Sequence, residues 1–285
     1  MSVTCDYFDS IEFPDRTNVW RLNAEGMRLE PLAHVPVTLS YENYADVVSA
    51  VMLGNAIRHA DLVPDLVMKY FPAARQDRRT QKGESHGVEV ITRILQVGGF
   101  KCITVYDPHS EVIEACNAMT PASLKIITQG ELLSNFASQY THETVCLVAP
   151  DAGAFKKVSQ CASTLHSKNN ISTTMLVGNK SRDPATGKLT VHPIINVSKS
   201  ASACKTFIVV DDICDGGGTF IPMAHNLRDL FGSDVEIILY VTHGLFSAGL
   251  ENLKAAGFNK IWCHNVMNQS REMRDALASG FLVSV

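Results

Sequence analysis

The grouping in this sequence best suited to chemistry is a set of carboxylates beside a run of glycines. Asp211-Asp212-Ile213-Cys214-Asp215-Gly216-Gly217-Gly218-Thr219 follows the apolar run Ile208-Val209-Val210 and precedes Met223, Leu227 and Leu230 at helical spacing. The apolar run is the pattern of a strand buried on both faces, and the glycines make the turn into a helix. Such a unit aims backbone N–H groups and a helix N-terminus at one spot, which suits a phosphate. Asp211 and Asp212, at the strand's end, sit where the hydroxyls of a ribose carrying that phosphate would lie. A Gly-rich turn can merely close a strand–helix connection, but paired Asp with Gly-Gly-Thr is a narrower pattern than that. The stretch reads as a ribose-phosphate site.

Other polar clusters also follow apolar runs. Leu66–Phe71 leads into Pro72-Ala73-Ala74-Arg75-Gln76-Asp77-Arg78-Arg79, and Cys102–Tyr106 leads into Asp107-Pro108-His109. Val145–Val148 leads into Ala149-Pro150-Asp151-Ala152-Gly153. A carboxylate and an imidazole suit a Mg²⁺ ion that keeps most of its waters, although a lone His109 would more often be structural. Lys180-Ser181-Arg182 opens a polar, Gly- and Pro-containing stretch over 178–192, expected to be a mobile loop.

The elements that must position these groups alternate between strand and helix, so the expected fold is α/β with mostly parallel sheets. A hairpin is expected from Glu12 to Leu22, continued by a strand over Val35–Leu39. A helix over 45–60 places Val48, Val51, Met52, Asn55 and Ile57 near one stripe, and Gly98-Gly99 stops the next helix. A helix near 130–139 precedes what reads as a second copy of the plan, which sets a boundary between domains 1–140 and 141–285. Ligands of such sheets bind beyond the carboxyl ends of strands, where every polar cluster named here falls.

Bulk composition narrows the function classes. The 285 residues are 46% hydrophobic and 19% charged, as in a folded globular protein. A formal net charge of −4 argues against a general nucleic-acid binder. No run reaches membrane-spanning length and the polar N-terminus lacks a signal-peptide pattern, so no membrane association and a cytoplasmic location are expected. The eight cysteines form no Cys-x-x-Cys pair, which favours buried thiols over disulfides or zinc.

The phosphate turn resembles those of type I phosphoribosyltransferases and of ribose-phosphate pyrophosphokinases, which leaves two chemistries open. Tyr70-Phe-Pro-Ala-Ala-Arg-Gln-Asp-Arg-Arg79 resembles the ATP-site segment of the pyrophosphokinases, which simple transferases lack. Asp107-Pro108-His109, Val148–Gly153, the Lys180/Arg182 pair and Thr242-His-Gly-Leu-Phe-Ser247 match the same family in order, over about 13 to 265. The resemblance implies two type I phosphoribosyltransferase-like domains and an ATP-dependent diphosphoryl transfer. It also implies a homo-oligomer, dimer or higher. It places ATP on Phe13, Asp15, Arg75, Gln76 and Asp77, and Mg²⁺ on His109 and Asp151. The ribose phosphate falls on Asp211, Asp212, Asp215, Gly216, Gly217, Gly218 and Thr219, with Lys180 and Arg182 as the catalytic cations. The acceptor implied is ribose 5-phosphate. A non-catalytic regulatory relative is the rival class, but such a protein would be expected to lose loop cations or metal ligands retained here.

Two departures stand out. Where the family has Phe-Pro-Asp-Gly-Glu, this chain has Phe13-Pro14-Asp15-Arg16-Thr17, without the glutamate. Where the family has Asp-Thr in the phosphate turn, this chain has Asp215-Gly216. The lost threonine removes a hydroxyl donor and opens space, so ADP-ribose, whose 5-phosphate bears a substituent, is the alternative acceptor.

Overall fold

The computed structural model describes residues 2–15, 17–140, 143–182, 189–192 and 199–284. The chain divides into two compact units, Met1–Ile127 and Thr128–Val285. Each unit is an α/β sheet with its own apolar core.

The first unit comprises β1 (Val3–Thr4), β2 (Phe8–Glu12), β3 (Asn18–Leu22), β4 (His34–Leu39), α1 (Tyr44–His59) and β5 (Val63–Met68). It continues with α2 (Gly87–Gly98), β6 (Cys102–Tyr106), α3 (Val112–Asn117) and β7 (Ser123–Ile127). Its main sheet runs β1-β4-β5-β6-β7, parallel except for the antiparallel edge strand β1. The expected hairpin is β2–β3, but it stands as a separate two-stranded sheet, and β4 joins the main sheet instead of extending it. Asn43 and Asp46 form a reciprocal cap that starts α1, each satisfying a backbone N–H that the first helical turn leaves unpaired. The helix buries Val47, Ala50, Val51, Leu53, Gly54 and Ile57, whereas Val48 and Met52, expected on that stripe, face outward. Gly99 caps α2 in the left-handed conformation, where the sequence places the stop. Strand β5 ends at Met68 and not at Phe71, because its pairing with β6 ends at Met68 opposite Val105.

The second unit opens with α4 (Gln129–Ala137), β8 (Thr144–Ala149), α5 (Phe155–Asn169) and β9 (Ser172–Val177). A two-stranded ribbon follows, β10 (Asn179–Arg182) with β11 (Leu189–His192), then the short helix α6 (Lys199–Ser202). The remaining elements are β12 (Thr206–Cys214), α7 (Phe220–Phe231), β13 (Glu236–Gly244), α8 (Glu251–Ala255), β14 (Lys260–Val266), α9 (Arg271–Ser279) and β15 (Leu282–Val283). The main sheet runs β15-β14-β13-β12-β8-β9 with every pairing parallel. Strand order reverses between β8 and β12. The chain leaves β8 toward β9, and from β12 it runs the other way to β15. In open parallel sheets the crevice at such a reversal is where ligands bind.

Two expectations need correction here. The boundary falls at Ile127/Thr128, not near 140, because α4 packs on the second sheet. Phe136 stacks on Trp262 and meets Tyr240 edge-on, both at 5.7 Å. Tyr140 donates to Glu236 Oε2 at 2.6 Å. Burying an aromatic side chain in this way is worth about 3–5 kcal/mol against alanine, which fixes where the helix belongs. The stretch 178–192 is also not loop throughout, since 179–182 pair with 189–192. Residues 183–188 lie outside the described residues.

Arg228 closes the far end of the second unit. Its Nε and Nη2 both donate to the Gly257 carbonyl, at 3.1 and 2.6 Å, and Nη2 also donates to Asn259 Oδ1. Its Nη1 reaches the carbonyls of Gly232, Ser233 and Val235 at 3.3, 3.2 and 2.8 Å. One guanidinium thus satisfies the carboxyl end of α7 and ties it to the turn after α8. An Arg228→Lys protein keeps the charge but not the fork, and a loss of about 2 kcal/mol in urea unfolding is expected. An unchanged midpoint and slope would show that the fork is dispensable.

Candidate active site

Strand β12 pairs with β8 only through Phe207–Val209, but with β13 as far as Cys214. Asp211 and Asp212, expected at the strand's end, therefore lie within it, on the part that continues beyond its pairing with β8. Neighbouring strand residues face opposite sides of a sheet. Asp211 is half-buried and its Oδ1 accepts the Asp212 amide at 3.0 Å, while Asp212 is buried.

The turn that follows is glycine-dependent at one position, Gly217, whose φ of +81° is in the left-handed region. The Gly217 carbonyl accepts N–H groups from Phe220 and Ile221 at 2.9 and 3.0 Å, which starts α7. Among the described residues the N–H groups of Gly216, Gly218 and Thr219 show no protein partner at this helix N-terminus. A Cβ placed on Gly218 would meet nothing within 4 Å, and one on Gly216 only Ala248 Cβ at 3.9 Å and Ser247 Oγ at 4.0 Å. Neither crowding nor dihedral angle requires those two glycines. The result is an open cradle of N–H donors beside two carboxylates, which can hold a phosphate and the hydroxyls of its sugar.

A second loop braces the cradle. Leu245 and Phe246 donate their N–H groups to the Cys214 carbonyl at 2.8 and 3.2 Å. Ser247 Oγ donates to Asp215 Oδ1 at 2.5 Å. Phe246 is fully buried at a φ of +46°, and Thr242 and His243 before it are buried in β13. The bond from Ser247 to Asp215 joins residues thirty-two positions apart, so local sequence carries no sign of it.

Across the reversal, Asp151 follows β8 and its Oδ1 accepts the Ala154 N–H at 2.9 Å, shaping the turn into α5. Lys180 and Arg182 occupy β10 opposite Val191 and Leu189, on a paired strand and not a loop.

The first unit carries the other cluster. After β5 the chain turns at Ala73, whose φ is +58°, and presents Arg75 and Gln76 at the surface with Asp77 buried behind them. Burial alone would push the Asp77 carboxyl up. A bond from the Ser110 hydroxyl and the charges of Arg78 and His109 outweigh it and hold the group below the ordinary aspartate range. Asp77 and His109, read from sequence as parts of separate ATP and metal motifs, are therefore neighbours. His86 was missed. Its Nδ1 accepts the Glu89 N–H at 3.1 Å, so its Nε2 carries the proton and donates to the Asp77 carbonyl at 2.8 Å. One imidazole caps α2 and pins the Arg75–Asp77 segment. The available signal was a polar residue three before Glu89 at a helix start.

Phe13 is exposed at the tip of the β2–β3 hairpin. The Thr17 N–H and Oγ1 both donate to Asp15 Oδ1, at 3.0 and 2.7 Å. The hydroxyl bond, then the amide bond, draw the Asp15 pKa down. Thr17, in the place of the absent glutamate, thus folds back on Asp15.

For Mg²⁺, the candidate donors His109 and Asp151 belong to different units. Among the described residues no three His, Cys, Asp or Glu side chains converge. Each is by itself a donor of the kind a hard cation takes while it keeps waters and completes its shell with phosphate oxygens.

The sheet order and the cradle at its reversal define the second unit as phosphoribosyltransferase-like, and the phosphoribosyl transferase domain family matches residues 120–254. The fold of the whole chain is that of a phosphoribosylpyrophosphate synthetase from Mycobacterium smegmatis, with a TM-score of 0.71 at 19% identity, covering 98% of this chain and 85% of that one. In sequence the chain is 27% identical to a ribose-phosphate pyrophosphokinase of Pyrococcus abyssi over 231 residues, 78% of this chain and 72% of the other. Against the proteins of the same description from Thermococcus kodakarensis and Hyphomonas neptunium it is 26% identical. Those matches cover 83% and 73% of this chain and 77% and 62% of theirs. Over most of its length the chain is thus similar in sequence to ribose-phosphate pyrophosphokinases.

Asp77 supplies a pH test. Its folded pKa lies below the unfolded value, so its stabilising effect is complete above the unfolded pKa of about 3.9 and is lost as pH falls through the folded one. The stability gap between wild type and Asp77→Asn, measured by urea unfolding, should be constant from neutral pH down to about 5 and shrink below about 4. A gap that persists unchanged to pH 3 would remove the carboxylate as its source.

Proposed function

We propose that the protein is an ATP-dependent pyrophosphokinase acting on the anomeric hydroxyl of ribose 5-phosphate. The observation that carries this reading is the cradle of Gly216–Thr219 with Asp211 and Asp212 at the reversal between β8 and β12. In the reaction the C1 hydroxyl oxygen bonds to the β-phosphorus of ATP and the bond from that phosphorus to the α-phosphate oxygen breaks. AMP leaves, the hydroxyl proton is released, and phosphoribosyl diphosphate forms.

Asp211 and Asp212 hold the ribose 2- and 3-hydroxyls, and residues 215–219 take the 5-phosphate on their N–H groups. Arg75 and Gln76 bind the adenine and phosphates of ATP, with Asp77 fixing that segment from behind and Phe13 and Asp15 adding to the same site. Diphosphoryl transfer leaves little covalent work for a protein, so positioning and charge neutralisation dominate. Lys180 and Arg182 supply the charge on the transferring group. His109 and Asp151 are the residues that would hold Mg²⁺, which when bound neutralises phosphate charge. The family relationship supports a homo-oligomer, and Thr17 removes one carboxylate from any ATP contact across subunits.

ADP-ribose is the second reading for the acceptor, favoured by Gly216, which no local crowding or dihedral requirement explains. A terminal phosphate dianion can use another hydroxyl donor, whereas a substituted phosphate carries less charge there and needs the room.

AMP formation from ATP and Mg²⁺ with each acceptor tests the class, and no AMP with either would leave a non-catalytic binding protein. Alanine at Lys180 or Arg182 should lower kcat by about 10²-fold or more with little change in KM. A large rise in KM with kcat intact would reduce those cations to docking groups. Gly216→Thr should move preference toward ribose 5-phosphate by roughly ten- to a hundredfold, the worth of one charge-assisted hydrogen bond. A wild type that strongly prefers ribose 5-phosphate and a mutant that changes nothing would make Gly216 only a tolerated turn residue.

A further inference from the structure

Arg75 and Gln76 lie in a turn, outside any helix or strand. Both side chains are exposed, and among the described residues neither makes a hydrogen bond. Their direction is therefore set by the backbone beneath them, and that backbone rests on the first turn of α2. The Val88 N–H donates to the Gln76 carbonyl at 3.4 Å, and His86 Nε2 donates to the Asp77 carbonyl at 2.8 Å. Gly87, between them, is buried, and a Cβ there would lie 2.7 Å from Ala73 Cβ and 2.9 Å from Gln76 Cβ. Neither of those atoms is the free end of a long side chain that could swing aside. The φ of Gly87 is not positive, so close approach, and not backbone conformation, is what calls for glycine here. Ala73 opens the segment at a φ of +58°, a conformation unfavourable for alanine that only firm surroundings maintain.

We propose that His86 and Gly87 are positioning residues for the nucleotide, the first turn of α2 being the seat that fixes where Arg75 and Gln76 are presented. This rests on the reading that Arg75 and Gln76 hold ATP. The two residues act by different means. His86 gives a donor to the backbone of the segment while its other nitrogen takes the Glu89 N–H, so the pin is anchored in the helix start. Gly87 gives room, letting the Ala73–Gln76 turn come into contact with the helix where any side chain would hold it off. A misplacement of about 1 Å at groups that orient a substrate can cost as much as a hundredfold. Neither His86 nor Gly87 needs to touch ATP to exert that effect.

Calorimetric titration of the full chain with ATP and Mg²⁺, and separately with ribose 5-phosphate, tests this. Asparagine is a good helix cap, so His86→Asn can still accept the Glu89 N–H, but its short side chain cannot also reach the Asp77 carbonyl. The urea midpoint should stay near that of wild type while the Kd for ATP rises about three- to tenfold, the worth of one hydrogen bond. In turnover the KM for ATP should rise by the same factor, with kcat and the ribose 5-phosphate KM unchanged. Gly87→Ala improves helix propensity yet crowds the seat, and should raise the Kd for ATP by about tenfold or more. The asparagine variant covers a failure of the alanine one to fold. An equal loss of ribose 5-phosphate affinity in both variants would make their role merely structural and overturn the proposal. Arg75→Ala separates the two levels of failure. If it weakens ATP while His86→Asn and Gly87→Ala do not, the seat falls and the ATP reading stands. If Arg75→Ala leaves ATP binding unchanged, that reading falls and takes the seat with it.

Discussion

A mismatch of strand lengths governs the second unit. β12 keeps its hydrogen bonds to β13 through Cys214, but its pairing with β8 stops at Val209. One edge of its final stretch is therefore ordered by the ladder to β13 while on the other edge, among the described residues, the pairing has already ended. This leaves Asp211 only half-buried in an ordered strand, while Asp212, its neighbour on the opposite face, is buried. The glycine turn and the N-terminus of α7 are placed by where that unequal pairing ends.

The surroundings suppress competing reactivity. All eight cysteines are free, and six of them are buried. Cys214, directly before the phosphate turn, has its thiol pushed up to about 12, mostly by burial and then by the nearby Asp211 and Asp215 carboxylates. Burial also raises Cys146, Cys204 and Cys263. A thiolate is the reactive species, so burial leaves these sulfurs packed as small apolar groups.

Much of the scaffold was legible because its signals are local. The apolar run into Asp211, the Gly98-Gly99 stop and the β2–β3 hairpin all rest on short-range preferences, and all three are present. What failed depends on partners far away in sequence. Helix α4 was assigned to the wrong side of the boundary because its loyalty is decided by Trp262 and Tyr240, more than a hundred residues on. Val48 and Met52 were placed on a buried stripe because periodicity gives a helix's apolar arc but not where the neighbouring sheet lies along it. The polarity of 178–192 concealed a ribbon, since main-chain pairing between two short strands leaves no hydrophobic pattern in a polar sequence. At the site, the residue types and their order could be read. The bond of Ser110 to Asp77, the influence of the His109 charge on it, the His86 pin and the Ser247 brace could not, because each joins separate segments of chain.

Glu272 connects this site to the end of the chain. By holding Leu250, α9 stiffens a loop whose other end steadies Asp215. The geometry of the Asp215–Thr219 turn is thus inherited in part from a C-terminal helix distant from it in sequence. The Arg75–Asp77 segment has its own support in the first unit, from His86 and α2. The two supports are independent of each other. Substitution in the last helix can therefore shift the Asp215 turn of the second unit while the Arg75–Asp77 segment of the first keeps its own brace.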